Sequence, residues 1–296
     1  MSGADLARRR DALDALPSAE TLLRQEGWRP RKELGQHFIV DADVTDRIVF
    51  AHGDLTGKRV AEIGPGAGTL TRSLLRCDVA RIDAIEKDPW AADVMRRRIA
   101  PASQGALIVR EEDALQYDYG ADGEKIHVVA NLPYNISSEL LMRWLGMKGR
   151  VEAATVMVQR EVAERFSAMP GDNHYGRPAV KAYLFADVEI VADVPPETFV
   201  PPPKVLSSVL HMRFRETPRV PVSNVNTLET VVKAAFATRR KTLRNGLRGH
   251  FPHDVDALLT ACGVDGSRRA ETVSPEEFCC IANAWEARTS HIKPLA

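Results

Sequence analysis

The sequence is short of cysteine and of aromatic residues, and it has no long apolar run. Its four cysteines, Cys77, Cys262, Cys279 and Cys280, form no C-x-x-C pair. That spacing excludes the common zinc-ribbon and dithiol patterns, and no metal site is expected. The adjacent Cys279 and Cys280 are expected as reduced helix residues, in keeping with a reducing cytoplasm. No stretch approaches the roughly 20 apolar residues of a membrane span. The N-terminal stretch around Arg8-Arg9-Arg10 has no apolar h-region, so no secretory signal is expected. A glycine-rich turn is present but no lysine follows it in the Walker position, which argues against a phosphate-cradling loop. An excess of one charge is missing too, with 40 Lys/Arg against 40 Asp/Glu.

That zero average hides an asymmetry. Lys204 to His250 carries ten Lys/Arg against the two acids Glu216 and Glu229, a net of +8, and the remainder is −8. One basic segment on a neutral chain points to a polyanionic partner held at one end. A solvated helix face would show the same run of charges.

At 296 residues the chain is long enough for one large domain and a smaller one. Hydrophobic residues at 44% and charged residues at 27% are ordinary for a globular protein. Residues 1–30 are polar with scattered leucines; a short helix over Ala19–Glu26 is expected, and the rest as a loose extension. Asp41 is placed to cap a helix reaching about Ala51. From residue 58 to 160 strands and helices alternate. Strands are expected at Arg59–Ile63, Arg81–Glu86, Ala106–Arg110, Ile126–Ala130 and Val151–Val158, with Pro89 starting one of the helices between them. The βαβ rhythm means a parallel sheet covered on both faces, with ligands beyond the C-terminal strand ends. Ala179–Ala192 and Val205–Phe214 read as two later strands pairing antiparallel at the sheet edge. Arg215–Pro221 reads as a linker. Beyond it come helical patterns alone, at Thr227–Ala237, Lys241–Gly249, Asp254–Cys262 and Pro275–Ala287.

The stretch with most chemistry is Asn131-Leu132-Pro133-Tyr134-Asn135, which ends the fourth strand. Pro133 fixes its own φ and holds Leu132 extended, so the Leu132 carbonyl points outward. Asn131 adds an amide oxygen, and Tyr134 a flat face. Two acceptors beside an aromatic plate suit the exocyclic amine of a flat ring such as adenine. The pentapeptide alone fits a polar strand end with a turn-forming proline equally well. Its neighbours decide. Gly64-Pro65-Gly66-Ala67-Gly68 closes the first strand and allows a close backbone approach to a ligand. Glu86 ends the second strand, where an acid can take both hydroxyls of a ribose. Asp113 follows the third, where an acid can accept from an adenine amine. A dinucleotide enzyme shares the glycines and one acid. The Asp113 position and the Asn-x-Pro-Tyr ending fit S-adenosylmethionine better.

Together these motifs resemble the KsgA/RsmA family of small-subunit ribosomal RNA adenine dimethyltransferases. The resemblance rests on Leu34-Gly35-Gln36-His37-Phe38, Glu62-Ile63-Gly64-Pro65-Gly66 and Asn131-Leu132-Pro133-Tyr134-Asn135. It continues through Gln159-Arg160-Glu161-Val162, Tyr175-Gly176-Arg177, Phe199–Val205 and Phe236–Asn245. It implies an α/β class I methyltransferase (Rossmann-like) sheet with helices on both faces over 31–217, and a small all-α domain over 218–296. It implies transfer of two methyl groups from S-adenosylmethionine to N6 of each of two adjacent adenosines near the 3′ end of small-subunit rRNA. It implies cofactor contacts at His37, Ile39, Gly64, Gly66, Glu86, Asp113 and Asn131. The catalytic set it implies is Asn131, Leu132, Pro133 and Tyr134, with Phe199 as a second aromatic plate. His37 departs from the family, which has Asn there.

The chemistry needs positioning more than a base. The adenine N6 lone pair is delocalised, and acceptors at Asn131 and Leu132 would rehybridise it toward the methyl group. The amine is neutral, and its proton can leave afterwards to water. Arg239, Arg240, Lys241, Arg244 and Arg248 are candidate phosphate contacts. Arg240, Arg244 and Arg248 are spaced four apart and would share a helix stripe, with Leu243 and Leu247 beside it packing inward. The basic loop Arg29–Lys32 is a further candidate. The expected partner is the small ribosomal subunit, and the expected state a cytoplasmic monomer. The alternatives are a large-subunit rRNA methyltransferase of the antibiotic-resistance type and a non-enzymatic assembly factor on the same scaffold.

Overall fold

A computed structural model describes residues 3–28, 31, 36–120, 122–147, 149–238, 240–251 and 255–290. Of the expected features, Leu34, Gly35, most of the Arg29–Lys32 loop and Arg239 lie outside the described residues. The chain divides into two compact units. One takes residues 1–163 and 188–214, the other 164–187 and 215–296. The helical unit therefore includes 164–187 as well as the C-terminal segment, and residues 1–30 belong to the sheet unit.

The sheet unit is built on seven strands: β2 (Arg59–Ile63), β3 (Arg81–Glu86), β4 (Leu107–Glu111), β5 (Ile126–Asn131), β6 (Val151–Gln159), β7 (Ala186–Val194) and β9 (Ser207–Phe214). Their order is β4-β3-β2-β5-β6-β9-β7. The β4-to-β6 pairs are parallel, and β9 runs antiparallel against β6. Helices α5 (Pro89–Val94) and α7 (Arg160–Ser167) follow β3 and β6. Strand order reverses at β2, with β3 on one side and β5 on the other. That is where the C-terminal strand ends open a crevice. The central strands are buried on both faces, so they read as mostly apolar runs, broken by His127 in β5 and by Glu152 and Thr155 in β6. A two-stranded antiparallel pair, β1 (Phe38–Ile39) with β8 (Phe199–Val200), sets Phe38 opposite Val200 and Ile39 opposite Phe199. It brings together two motifs about 160 residues apart in the chain.

The apolar core is seeded with a few polar groups, and those on the central strands are paired with one another or with nearby arginines. Asp83 is fully buried on β3 and accepts from Arg59, Arg81 and Arg110 at 2.8–3.0 Å. Burial opposes its charge, but hydrogen bonds from Arg81, Arg59 and Arg110 overcome that and hold its carboxyl below the usual range. His52, the last residue of α3 (Ala42–His52), bonds Thr155 Oγ1 through Nδ1 and His127 through Nε2, both at 2.9 Å. Thr155 also bonds His211, at 2.8 Å. Burial, with His127 and His211 beside it, pushes His52 down to about 3.

The expected loose N-terminal extension is structured. Helices α1 (Gly3–Asp14) and α2 (Ala19–Gln25) place Leu13 and Leu22 in the sheet unit's core, each 1% exposed. Arg10 donates twice to the Arg76 carbonyl, Arg72 donates to the Pro17 carbonyl, and Glu26 accepts from Arg97 and Arg98. Three consecutive arginines obscure the apolar face of α1 in the sequence; tertiary burial of that face is what holds the helix.

The strand expected over Ala179–Ala192 is half wrong. Arg177–Phe185 is helix α8, with Pro178 in its first turn, and strand β7 begins only at Ala186. A short apolar run cannot be assigned by periodicity alone. In the helical unit, α9 (Val225–Phe236), α10 (Leu243–Leu247), α11 (Val255–Ala261) and α12 (Pro275–Ser290) join α8. Tyr175, Phe236 and Phe278 pack as an aromatic row, and the Tyr175 hydroxyl donates to the Val273 carbonyl. Cys262 and Cys280 form a disulfide, so the expectation that Cys280 is reduced is corrected. Cys279 is free and buried. The tertiary fold sets the Cα atoms of Cys262 and Cys280 5.8 Å apart, which their 18-residue separation in sequence does not reveal.

Candidate active site at the strand ends

Four consecutive strand ends build one cavity. Gly64, at the end of β2, has φ 64°, and Gly66 and Gly68 follow with φ 53° and 77°. All three lie in the left-handed region that side chains avoid. At Gly66 space adds a second constraint: a Cβ there would meet the Phe38 ring at 2.4 Å. Gly68 then starts α4 (Thr69–Arg76). Trp28 packs against Phe38 with centroids 4.7 Å apart and the rings tilted 48°, so the N-terminal segment braces the ring that closes over Gly66.

Glu86 ends β3 and is 8% exposed. Its oxygens accept from the Asp88 amide at 2.8 Å and the Gly66 amide at 3.4 Å. Burial pushes its pKa up to about 7 despite those bonds. Asp113, after β4, accepts from Lys87 Nζ at 2.8 Å and from the Leu115 amide at 2.9 Å. The Lys87 hydrogen bond holds it below the ordinary aspartate range. Glu62, one residue before Ile63, is buried, accepts from Thr71, and is pushed up to about 8 by burial.

Asn131 ends β5. Its Nδ2 donates to the His37 carbonyl at 2.9 Å. A carbonyl only accepts, so the amide orientation is set and Oδ1 keeps its lone pairs. The Leu132 amide is tied to the Met157 carbonyl, while the Leu132 carbonyl accepts from no described residue. Pro133, with φ −56° and ψ 128°, turns the chain into α6 (Tyr134–Trp144). The Tyr134 hydroxyl bonds Ser207 Oγ at 2.7 Å, and burial raises its pKa. The His37 ring stacks on Tyr134, 5.5 Å between centroids at 26°, and its Nδ1 lies 2.8 Å from the Pro201 carbonyl.

His37, Gly64, Glu86, Asp113, Asn131, Leu132, Pro133 and Tyr134 all line this cavity. Gly66 stands beside it, holding Glu86 through its amide. Ile39 lines a smaller neighbouring hollow with Gly64 and Asn131, its carbonyl accepting from Thr69 Oγ1. Phe199 is in a different place from the one expected. It is 2% exposed, sits in the hydrophobic core and does not line the cavity. The ring found against Tyr134 is His37. Lys87 and Ser207 were not singled out from the sequence. Lys87 reads there as a surface cation, and Ser207 gains its role only when β9 is brought beside β6.

In the helical unit, Thr242 caps α10 and Leu243 and Leu247 are fully buried, as their spacing implied. The expected stripe of Arg240, Arg244 and Arg248 is shorter than the sequence indicated. Arg240 and Lys241 precede the helix in a turn, exposed, and Arg248 is its C-cap. Arg244 pairs with Asp256 at 2.8 Å.

A sheet reversing at β2, a glycine turn, an acid on each of the next two strand ends and an Asn-Leu-Pro-Tyr ending define a class I methyltransferase. The comparisons narrow the class. Residues 27–286 match the model of the ribosomal RNA adenine dimethylase family. A protein of Dinoroseobacter shibae named ribosomal RNA small subunit methyltransferase A is 44% identical, over 91% of this chain and 97% of its own. One of the same name from Brucella anthropi is 42% identical, over 93% of this chain and 98% of its own. The chain belongs to the ribosomal RNA adenine dimethylase family. Among solved structures, a dimethyladenosine transferase from Plasmodium falciparum superposes with TM-score 0.72 at 23% identity, over 86% of this chain and 98% of the other. The 23S rRNA methyltransferase ErmE gives 0.64 at 25%, over 84% and 99%.

The family implies S-adenosylmethionine as methyl donor, and the residues present fit it. The backbone at Gly64 admits a ligand closely, Glu86 offers carboxylate oxygens at the next strand end, and Asp113 at the one after.

Proposed function

We propose that this chain transfers methyl groups from S-adenosylmethionine to N6 of two adjacent adenosines near the 3′ end of small-subunit rRNA, giving N6,N6-dimethyladenosine. The reading places it in the cytoplasm, working as a monomer on the small ribosomal subunit. One observation carries it: the His37 carbonyl turns the Asn131 amide so that Oδ1 and the Leu132 carbonyl are two unfilled acceptors beside Tyr134.

The donor supplies a methyl group on a sulfonium, already a good electrophile. Glu86 would hold its ribose hydroxyls and Asp113 its adenine amine, with Gly64, Gly66, Ile39 and the His37 backbone closing around it. Asn131 Oδ1 and the Leu132 carbonyl would accept from N6–H of the target base, drawing its lone pair out of the ring plane. Tyr134, fixed by Ser207, would stack on the base; such stacking is worth about 1–3 kcal/mol. For Phe199 to serve as a second plate, the β1–β8 pair would have to open. Arg239, Arg240, Lys241, Arg244 and Arg248 would meet phosphates, giving affinity and salt dependence and leaving sequence choice to the pocket.

The test offers labelled donor separately with undermethylated small subunits, naked rRNA and large subunits. Label is expected in the small-subunit RNA. Label confined to large-subunit RNA would replace this reading with the resistance-type one. Binding to small subunits without any label would leave an assembly factor.

A further inference from the structure

We propose that the His37 side chain is the acceptor for the proton that N6 of the target adenine releases on methylation. The inference rests on the adenine-methylating reading above.

Three observations place the ring for that task. It lines the same cavity as Asn131, Leu132 and Tyr134. It is held on two sides, by stacking on Tyr134 and by the contact of Nδ1 with the Pro201 carbonyl at 2.8 Å. And that contact selects the tautomer. A carbonyl has no proton to give, so Nδ1 carries the hydrogen and Nε2 keeps a lone pair in the neutral ring. Nε2 has no hydrogen bond to any described residue. The β1–β8 pairing produces this arrangement by bringing Pro201 to His37.

The electron accounting is simple. The N6 lone pair forms a bond to the methyl carbon as the carbon–sulfur bond breaks, and sulfur keeps that pair. N6 is left positively charged with a hydrogen still attached. The N6–H pair returns to nitrogen and the proton goes to the Nε2 lone pair. The resulting imidazolium is stabilised through Nδ1–H by the Pro201 carbonyl and passes its proton to water. This clearing step matters most between the two transfers, because the monomethylated amine has to be neutral before its lone pair can attack again. Water is a competing acceptor, so the contribution is set at about tenfold, below the 10²–10⁴ usual for general-base catalysis.

The titratable groups that face the same cavity are Tyr134 from α6, Glu86 and Lys87 after β3, and Glu112 and Asp113 after β4. Lys87 is paired with Asp113, and the Tyr134 hydroxyl with Ser207. None of these changes in the variants below, so a limb of the pH profile that vanishes in them belongs to His37.

The experiment compares wild type with His37→Asn and His37→Phe on undermethylated small subunits, reading single-turnover rates against pH and the ratio of monomethyl to dimethyl adenine. His37→Asn keeps a polar side chain but has no basic ring nitrogen. His37→Phe keeps a ring for Tyr134 and removes the acceptor. Wild-type transfer is expected to slow on the acid side as the imidazole is protonated. Both variants are expected to lose that limb and to pass through monomethyladenine about tenfold more slowly, less than the usual general-base contribution because water competes. A His37→Phe variant with the wild-type pH profile and product ratio would overturn the proposal and leave His37 a packing residue. Nitrogen-15 NMR of the free protein gives a separate readout. Protonation at Nδ1 is expected, and a ring protonated at Nε2 overturns the proposal without any turnover. Wild type inert on every RNA would instead strike the proposed function, and the NMR would still decide the tautomer.

Discussion

The two units treat polar groups in opposite ways. In the sheet unit, His52, Glu62, Asp83, Glu86, Asp88, His127 and Thr155 are all buried, and each is held by partners. In the helical unit, apart from Tyr175, no polar or charged side chain among the described residues is buried; its interior is aliphatic and aromatic, tied by one disulfide. Its basic residues Arg240, Lys241, Arg244 and Arg248 are exposed. A reaction centre needs oriented acceptors shielded from water, and each costs free energy to bury unless bonded. A phosphate-binding surface needs only cations within reach of solvent. On the proposed function, the difference would put chemistry in one unit and attachment in the other.

The sharpest way to break that division is Asn131→Ala. Losing one acceptor aimed at the reacting amine is expected to cut transfer about 10²–10³-fold, the scale for one preorganised hydrogen-bonding group. Binding to small subunits, followed by sedimentation, should stay within a factor of about two by the same division of labour. Equal loss of both would mean that Asn131 holds the fold together.

Removing the disulfide strikes the other unit. Cys262→Ser is expected to cost about 3 kcal/mol, the loop-closure scale for this separation. Donor affinity measured by calorimetry should not change. A matching fall in donor affinity would tie the helical unit to the cavity and blur the comparison.

Acid strikes the sheet unit through its buried histidines. His52 is held near 3 when folded and returns to about 6.5 when unfolded. Below 6.5 the unfolded chain binds the proton and the folded one does not. Stability is therefore complete above pH 6.5 and falls as pH drops toward 3, by about 1.4 kcal/mol per unit from this group. His127 and His211 are lowered by burial too and act in the same direction. Glu62 and Glu86, raised to about 8 and about 7, act in the opposite direction over this range, so the check compares the change in urea midpoint from about pH 7.5 to 5.5 in wild type and in His52→Leu. The variant's change should be shifted toward stabilisation at about pH 5.5, and an identical change would move the histidine contribution elsewhere.

The smallest effect is expected from Arg240→Ala with Lys241→Ala. Subunit affinity should weaken modestly, and the slope of log affinity against log salt should fall by about 0.7 for each phosphate no longer neutralised. Transfer to saturating subunits should hold. An unchanged slope would remove these two from the RNA surface.

Much of the site was legible because its parts are local. A glycine turn, an acid closing a strand and an Asn-x-Pro-Tyr ending are each set by a few adjacent residues. Strand–helix alternation then orders them along one sheet edge. The helical assignments missed at α1 and α8 are cases where burial overrides a short or charged pattern.

The sequence by itself determined the βαβ sheet, the basic segment and the residues Gly64, Glu86, Asp113, Asn131 and Tyr134, because periodicity and backbone constraints act over a few residues. Tertiary structure alone decided four other things. It set which way the Asn131 amide faces, buried Phe199, stacked His37 on Tyr134 and joined Cys262 to Cys280. Each depends on segments far apart in the chain, and only packing brings such segments within bonding distance.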